Sequence, residues 1–195
     1  YDFFTTHKIS GVMDILNVKY LLLQENNEQK SIENPNAMGV AWSIDSLFIA
    51  ETADGVLELM KSIDFSRQAV VMKSEFPADM PLKFDAKKLD KIELVKNHPT
   101  HLKYNFEARD EQLIVFSEMY YPQGWSVTID KQKAAVFPAN YVLRALRVPS
   151  GNHTIEFTFD PNVVRTGVTV RLFSLFVFLS IVSFFGFKRF KVKYN

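Results

Sequence analysis

With 195 residues, 47% hydrophobic and 23% charged side chains and no cysteine, the chain has an ordinary globular composition that excludes disulfides, thiol catalysis and cysteine-ligated metals. The formal net charge of +1 is unevenly distributed, because all 22 acidic residues lie between Asp2 and Asp160 and five basic residues follow residue 165. The acidic balance of the preceding part argues against a nucleic-acid-binding protein, which needs basic patches to neutralise phosphates.

The first 75 residues are predicted to form a small α/β subdomain. Its predicted elements are a helix end running into a strand (15–23), a polar loop (24–36), a strand (42–50), a helix (52–63) and a strand (68–72). The helix prediction rests on Thr52, a typical N-cap residue, followed by apolar residues at helical spacing. Residues 76–90 contain Pro77, Pro81 and several lysines, and they are the best candidate for a linker.

Residues 91–165 are predicted to form an antiparallel β-sandwich. Alternating apolar and polar residues mark most of its strands, and turn residues separate them. The predicted strands are 91–96, 101–107, 113–117, 125–130, 141–148 and 153–159. The segment Leu113–Ser117 is apolar at nearly every position, which favours a central strand. The fold class expected for the whole chain is α+β and mainly β, with one C-terminal transmembrane helix.

The transmembrane prediction covers residues 168–187, in which Arg171 is the only charged residue. A helix of this length spans roughly 30 Å, the thickness of the hydrocarbon core of a bilayer. Arg171 lies near the N-terminal end, where its long side chain can reach the headgroups. The alternative is a buried core helix of a soluble protein, but a core helix is rarely apolar on all faces.

The C-terminal tail, residues 188–195, is basic through Lys188, Arg189, Lys191 and Lys193. The positive-inside rule therefore predicts a cytoplasmic C-terminus, with residues 1 to about 165 on the outer side of the membrane. The polar N-terminal residues lack an apolar export signal. We therefore expect Tyr1 to be a fragment end that further membrane helices precede.

The sandwich region contains a combination of motifs that resembles the C-terminal region of the YfhO family of bacterial membrane proteins, in particular its Bacteroidetes-like members. The motifs are Val115–Trp125, Ser126–Asp130, Asn140–Ala145, Val148–His153 and Ile155–Pro161, with Leu16–Tyr20 and Asn34–Ala37 upstream. Members of the family resemble the lipid-linked-sugar (GT-C) glycosyltransferases, which have many helices.

This resemblance implies a bacterial inner-membrane protein with a role in envelope glycosylation and a polyprenyl-phosphate sugar donor. It implies as partners the lipid bilayer and the remaining transmembrane helices of the parent protein. In GT-C enzymes the catalytic acid lies in a loop after the first helices, a region outside this chain. The chain is therefore expected to be a non-catalytic accessory domain, whether or not the parent is a transferase, and we expect no cofactor.

Few polar residues have the spacing of a metal site or of a catalytic motif. His98 and His101 are separated by a Pro-Thr pair that blocks a helix, and we interpret them as a turn between strands rather than a metal site. His7 and His153 each stand alone. The triplet at 152–154 has the form of an N-glycosylation site and is interpreted as a hairpin turn. No Gly-x-Ser-x-Gly motif presents a nucleophilic serine.

The aromatic residues Tyr120, Tyr121 and Trp125 are the best candidates for ligand contact. Aromatic faces stack on the C–H surfaces of sugars, and β-sandwiches commonly bind carbohydrate. The further candidates for contacts to sugar hydroxyls are Glu118, Asn140 and Arg144. A structural interpretation stays open, since the same rings can cap the core of the sandwich. A second functional hypothesis is a non-catalytic protein–protein interaction module anchored in an envelope complex.

Overall fold

A computed structural model describes residues 10–25, 28–84 and 91–193, with side chains described for 11–24, 29–84 and 91–183. As predicted, the fold is mainly β, with antiparallel sheets and a C-terminal apolar helix. The helices are α1 (Ser10–Ile15), α2 (Ala53–Met60) and α3 (Asn162–Lys193). The strands are β1 (Tyr20–Glu25), β2 (Glu28–Glu33), β3 (Ala41–Ile44), β4 (Ser46–Ala50), β5 (Gln68–Met72), β6 (Lys91–His98), β7 (His101–Ala108), β8 (Gln112–Met119), β9 (Trp125–Ile129), β10 (Gln132–Lys133), β11 (Val136–Ala139), β12 (Leu143–Val148) and β13 (Gly151–Phe159).

The predicted antiparallel β-sandwich is formed by two sheets. The first sheet has five strands in the order β10-β9-β13-β7-β6, and the second has four in the order β11-β12-β8-β3. The facing sides of the sheets bury the aromatic cluster Tyr104, Phe116 and Phe157, whose ring centroids lie 5.0–6.0 Å apart in edge-on contacts. These contacts join the sheets, since Phe116 belongs to one and its two neighbours to the other.

Strand β8 is central, as its dense apolar run predicts. Ile114 and Phe116 face the five-stranded sheet, whereas Leu113 and Val115 face a third layer on the opposite side. That layer consists of the parallel pair β4 and β5 together with α2. Because β8 is covered on both faces, it needs apolar side chains at successive positions rather than at alternate ones.

The described residues before position 76 are closely joined to the sandwich. Strand β3 pairs with β8 and so supplies the edge of the four-stranded sheet. Residues in the middle of the predicted 76–90 linker also bond to this region: the amide of Leu47 donates to the carbonyl of Leu82, and that of Phe84 donates to the carbonyl of Asp45. Residues 85–90 lie outside the described part of the chain. The sandwich therefore includes β3, a strand that precedes residue 76. The domain boundaries at 75, 90 and 165 stay predictions.

Two local predictions are wrong. The predicted loop 24–36 contains β2, which forms an antiparallel hairpin with β1. The hairpin is mostly solvated, so β2 lacks the apolar alternation that marks a half-buried strand. The predicted strand 42–50 is interrupted at Asp45, where the chain leaves the four-stranded sheet as β3 and enters the third layer as β4.

Helix α3 leaves the sandwich three residues after β13 ends and does not contribute to either described core cluster. Its segment Asn162–Ser183 is long and apolar enough to cross a membrane. The helix begins before the predicted span of 168–187 and continues to Lys193, through most of the predicted tail. Arg171 is exposed on the helix. The side chains of Lys188, Arg189, Lys191 and Lys193 lie outside the described ones.

Candidate functional site

The β8–β9 loop packs against the start of the apolar helix. The amide of Asp160, which follows β13, donates to the carbonyl of Gly124 at 2.8 Å. One residue away on each strand, the rings of Trp125 and Phe159 lie 5.2 Å apart. The loop that carries the predicted aromatic residues is therefore at the end of the sandwich from which α3 emerges, hereafter the helix-proximal end.

Gly124 makes this close approach geometrically feasible. Its φ of +100° lies in the region that favours glycine, and a Cβ atom here would come within 2.8 Å of the Pro161 Cβ and 3.1 Å of the Pro161 Cα. The contact to backbone cannot be relieved by a side-chain rotation. Glycine at this position thus holds the loop against the residues that lead into α3.

A cleft of about 340 Å³ opens at the helix-proximal end. Its wall includes Tyr120, Tyr121, Trp125, Lys133, Arg144 and Phe157. The structure thus brings together four of the six residues predicted to contact sugar. Lys133 was missed by the sequence prediction, because only the β9–β10 hairpin brings it beside the cleft.

Arg144 is the most unusual residue of the cleft wall, because it is only 4% exposed. Its position on β12 directs the side chain into the space between the sheets, where its Cζ lies 4.4 Å from the Trp125 ring centroid and 5.1 Å from that of Phe157. Its Nε donates to the carbonyl of Met119 at 2.8 Å. Its buried Nη1 has no hydrogen-bond partner among the described residues. Burial lowers the pKa of Arg144, and the neighbouring Glu118 and Tyr104 partly oppose this lowering.

Glu118 and Tyr104 lie behind this wall. Burial raises the pKa of the Glu118 carboxyl, and the charge of Arg144 opposes that rise. Burial also raises the pKa of Tyr104, whose buried hydroxyl finds no hydrogen-bond partner within the described ranges. Glu118 is not among the residues that line the cleft, so the structure places it near Arg144 but not at the surface where a ligand would sit.

Asn140 has a structural position instead of a place in the cleft. It is completely buried. Its backbone amide donates to the Val70 carbonyl at 2.8 Å, and its side-chain Oδ1 accepts from the Val70 backbone amide at 2.9 Å. The residue links the β11–β12 turn to β5 of the third layer. Asn140 is therefore outside the cleft, and its contact with a ligand stays a prediction.

The histidines are dispersed. His98 contacts Thr100 in the turn before β7, and His101 lies 3.2 Å from a carboxylate oxygen of Glu156. His153 contacts Asp130 in the β9–β10 turn at 2.6 Å. Across the described ranges, no group of three or more histidine, aspartate and glutamate side chains is arranged to hold a metal ion.

A second cavity, of about 310 Å³, lies between the third layer and the sandwich. Its wall is mainly apolar and includes Val56, Met72, Tyr120, Pro138 and Tyr141. Tyr120 therefore separates two cavities of different character, since the neighbouring cleft contains two cationic residues and this cavity contains none.

Comparison with known proteins gives one positive result. No curated protein and no solved structure matches the chain. Residues 80–171, by contrast, match the family described as "Bacterial membrane protein YfhO". The matched region contains the cleft residues on β9, β10, β12 and β13 and extends into the apolar helix α3. The region 80–171 therefore belongs to the YfhO family of bacterial membrane proteins.

Proposed function

We propose that this chain is a non-catalytic, extracytoplasmic domain with one membrane helix of a polytopic YfhO protein, and that it holds a glycan at the membrane surface during envelope glycosylation. The observation that carries the proposal is the cleft of aromatic and cationic side chains at the helix-proximal end. The sugar donor would be a polyprenyl-phosphate sugar bound by the remaining helices of the parent protein.

Charge supports the proposed orientation. Four basic residues follow the span within residues 188–193, whereas the globular part carries all of the acidic residues. Short basic segments next to a membrane helix are enriched on the cytoplasmic side. The sandwich would then lie outside the cytoplasm, at the bacterial inner membrane.

Exposed apolar side chains support a position at the membrane surface. Met119, Tyr121 and Tyr141 are 65%, 50% and 51% exposed. They lie in or beside the β8–β9 loop and the β11–β12 turn, both at the helix-proximal end. Tyrosine and tryptophan are enriched where membrane proteins cross the headgroup layer, because their rings are apolar and their polar groups hydrogen-bond there. The cleft would therefore open beside lipid headgroups.

The chemistry of the cleft favours binding over catalysis. Tyr121 offers a half-exposed ring on which the apolar face of a sugar can stack, and its hydroxyl is held by Gln123 at 3.2 Å. Glycosyl transfer needs an acid or base placed at the reacting atoms. Glu118, the carboxyl group whose charge acts on Arg144, does not line the cleft. The parent protein would supply the catalytic groups.

The proposal is tested by saccharide binding to the full chain in lipid nanodiscs, measured by saturation-transfer NMR with a panel of oligosaccharides. A saccharide that binds should lose about two- to tenfold in affinity with Tyr121→Ala, since one aromatic contact is worth about 0.5–1.5 kcal/mol. Tyr20→Ala is the matched control, because Tyr20 is 61% exposed on the β1–β2 hairpin and does not line the cleft. Absence of binding across the panel, or equal losses in both variants, would contradict the proposal.

A second candidate function is docking onto another protein of the same membrane. The apolar cavity beneath the exposed Tyr141 favours it, because an aromatic or aliphatic side chain of a partner could enter there. A photo-crosslinking residue at position 141, activated in native membranes, tests this candidate. A discrete and reproducible adduct with a membrane protein would support docking, and crosslinks to lipid alone would oppose it.

A further inference from the structure

The cleft carries positive charge that the residues of its wall do not neutralise. Arg144 and Lys133 line it, and none of the described residues in its wall is acidic. The carboxylate of Glu118 acts on Arg144 through its charge but lies outside this wall. Burial of a guanidinium is costly unless its charge is paired and its donors are satisfied. Arg144 satisfies one donor at Met119 and leaves Nη1 unsatisfied within the described protein.

The aromatic rings hold the guanidinium in place. The Trp125 and Phe157 rings contact it from the five-stranded sheet, whereas its own backbone belongs to the four-stranded one. A cation–π contact favours the charge but supplies no hydrogen-bond acceptor. An oxygen-bearing anion seated against Arg144 would supply both acceptors and charge, and the planar guanidinium suits a carboxylate or phosphate.

Lys133 adds a second cation at the rim of the same cleft. It is exposed on the short strand β10, and its backbone is fixed by pairing with Thr128. A flexible ammonium at the rim can follow an anionic group that differs in size, whereas the buried guanidinium cannot. The two cations therefore line the cleft from both sheets of the sandwich.

Resting on the proposed glycan function, we propose that the cleft selects an acidic saccharide, a sugar unit that bears a carboxylate or a phosphate. Arg144 and Lys133 bind the anionic group, and Tyr121 stacks on the sugar ring. The anionic group lies toward the interior of the sandwich and the rest of the glycan extends out of the cleft beside the membrane.

The test is a titration of the full chain in phosphatidylcholine nanodiscs, followed by NMR. The paired probes are trigalacturonate against neutral maltotriose, and glucose 6-phosphate against glucose. Inorganic phosphate reports binding of an anion without a sugar. A second set of nanodiscs containing phosphatidylglycerol shows whether a lipid headgroup competes for the site.

At least one acidic probe should bind about tenfold or more tightly than its neutral partner, because a hydrogen bond to a charged group is worth more than one to a neutral group. Lys133→Ala should weaken binding of the acidic probe only. Lys61→Ala, at the C-cap of α2, is the matched control, because Lys61 is exposed and does not line the cleft. Arg144→Lys retains the charge but loses the planar fork, and it should weaken the acidic probe as well.

Equal affinity for acidic and neutral probes would overturn the acidic selectivity and leave the glycan function standing. Failure of every saccharide would overturn both. Acidic binding that is unchanged by Lys133→Ala and Arg144→Lys would place the anion elsewhere and overturn the assignment. Binding of inorganic phosphate and phosphatidylglycerol, without any added affinity from the sugar ring, would identify a lipid-headgroup site and also overturn it.

Discussion

The guanidinium of Arg144 lies 4.4 Å from the centroid of the Trp125 ring and joins the two sheets of the sandwich at their helix-proximal end. Arg144 is buried, whereas Trp125 also contacts Phe159, which precedes the apolar helix. The pair therefore connects the interior of the sandwich, the wall of the cleft and the start of α3.

Arg144→Met tests whether this arginine is retained for binding or for folding. Replacing a buried charge by an apolar side chain of similar volume is often neutral or stabilising. We expect the free energy of unfolding to change by no more than about 1–2 kcal/mol, while binding of the acidic saccharide is lost. Urea denaturation in nanodiscs measures the stability. A loss of more than about 4 kcal/mol would show that Arg144 is mainly structural.

Asn140→Ala should destabilise the chain strongly. The substitution leaves the buried Val70 amide without its acceptor and places a Cβ-bearing residue that lacks a polar side chain at a φ of +48°. The expected loss is about 2–4 kcal/mol in urea denaturation. Asn140→Gly relieves the backbone strain but not the lost hydrogen bond, so it should recover only part of that stability. Wild-type stability in Asn140→Ala would refute the structural role.

Gly124→Ala should release the β8–β9 loop from the start of α3. The new methyl group would collide with Pro161, in addition to the strain of a φ of +100°. Gly39→Ala is a suitable control, because Gly39 has a φ of +82° but a Cβ atom there would meet nothing within 4 Å. We expect losses of about 3 kcal/mol for Gly124→Ala and about 1 kcal/mol for Gly39→Ala. Similar losses would mean that the contact with Pro161 is unimportant.

The ion pair of His153 and Asp130 predicts a dependence of stability on pH. Its hydrogen bond raises the His153 pKa above 6.5 and lowers the Asp130 pKa below 3.8. The stabilisation is therefore complete between these ordinary values, and it is lost as the pH rises through the raised His153 pKa or falls through the lowered Asp130 pKa.

Because Asp130 is half exposed, the expected contribution is about 0.5 kcal/mol. It is measured as the difference in unfolding free energy between pH 5.5 and 8.5, compared with the same difference for Asp130→Asn. The asparagine side chain retains an oxygen that accepts from the Thr154 backbone amide, but it carries no charge. An identical pH dependence in both proteins would contradict the assignment.

The sequence predicts the elements that bury a regular pattern of side chains. Thr52 caps α2 as expected, its Oγ1 accepting from the Gly55 amide at 3.1 Å. The apolar run at Leu113–Ser117 correctly indicates a central strand. The polar strand β2 is missed because its side chains are solvated on both faces, and the break at Asp45 is missed because the sequence does not show that one apolar run serves two sheets.

The site is only partly predictable. Alternation along β12 places Arg144 on the same face as Leu146 and Val148, which could have identified it as inward-facing. Asn140 lies in a turn, where residue type does not distinguish a ligand contact from a hydrogen bond to a distant strand. Lys133 reaches the cleft through the β9–β10 hairpin, and nothing in its sequence neighbourhood indicates that position.

Everything proposed for the cleft depends on its position at the membrane surface, which Trp125 can report. The full chain with Trp42→Phe has Trp125 as its only tryptophan. The chain with Trp125→Phe retains only Trp42, which is buried between the four-stranded sheet and the third layer. Both are placed in nanodiscs whose lipids carry bromine close to the headgroups. We predict strong fluorescence quenching for Trp125 and little for Trp42. Equal and negligible quenching of both would contradict a cleft that opens at the membrane.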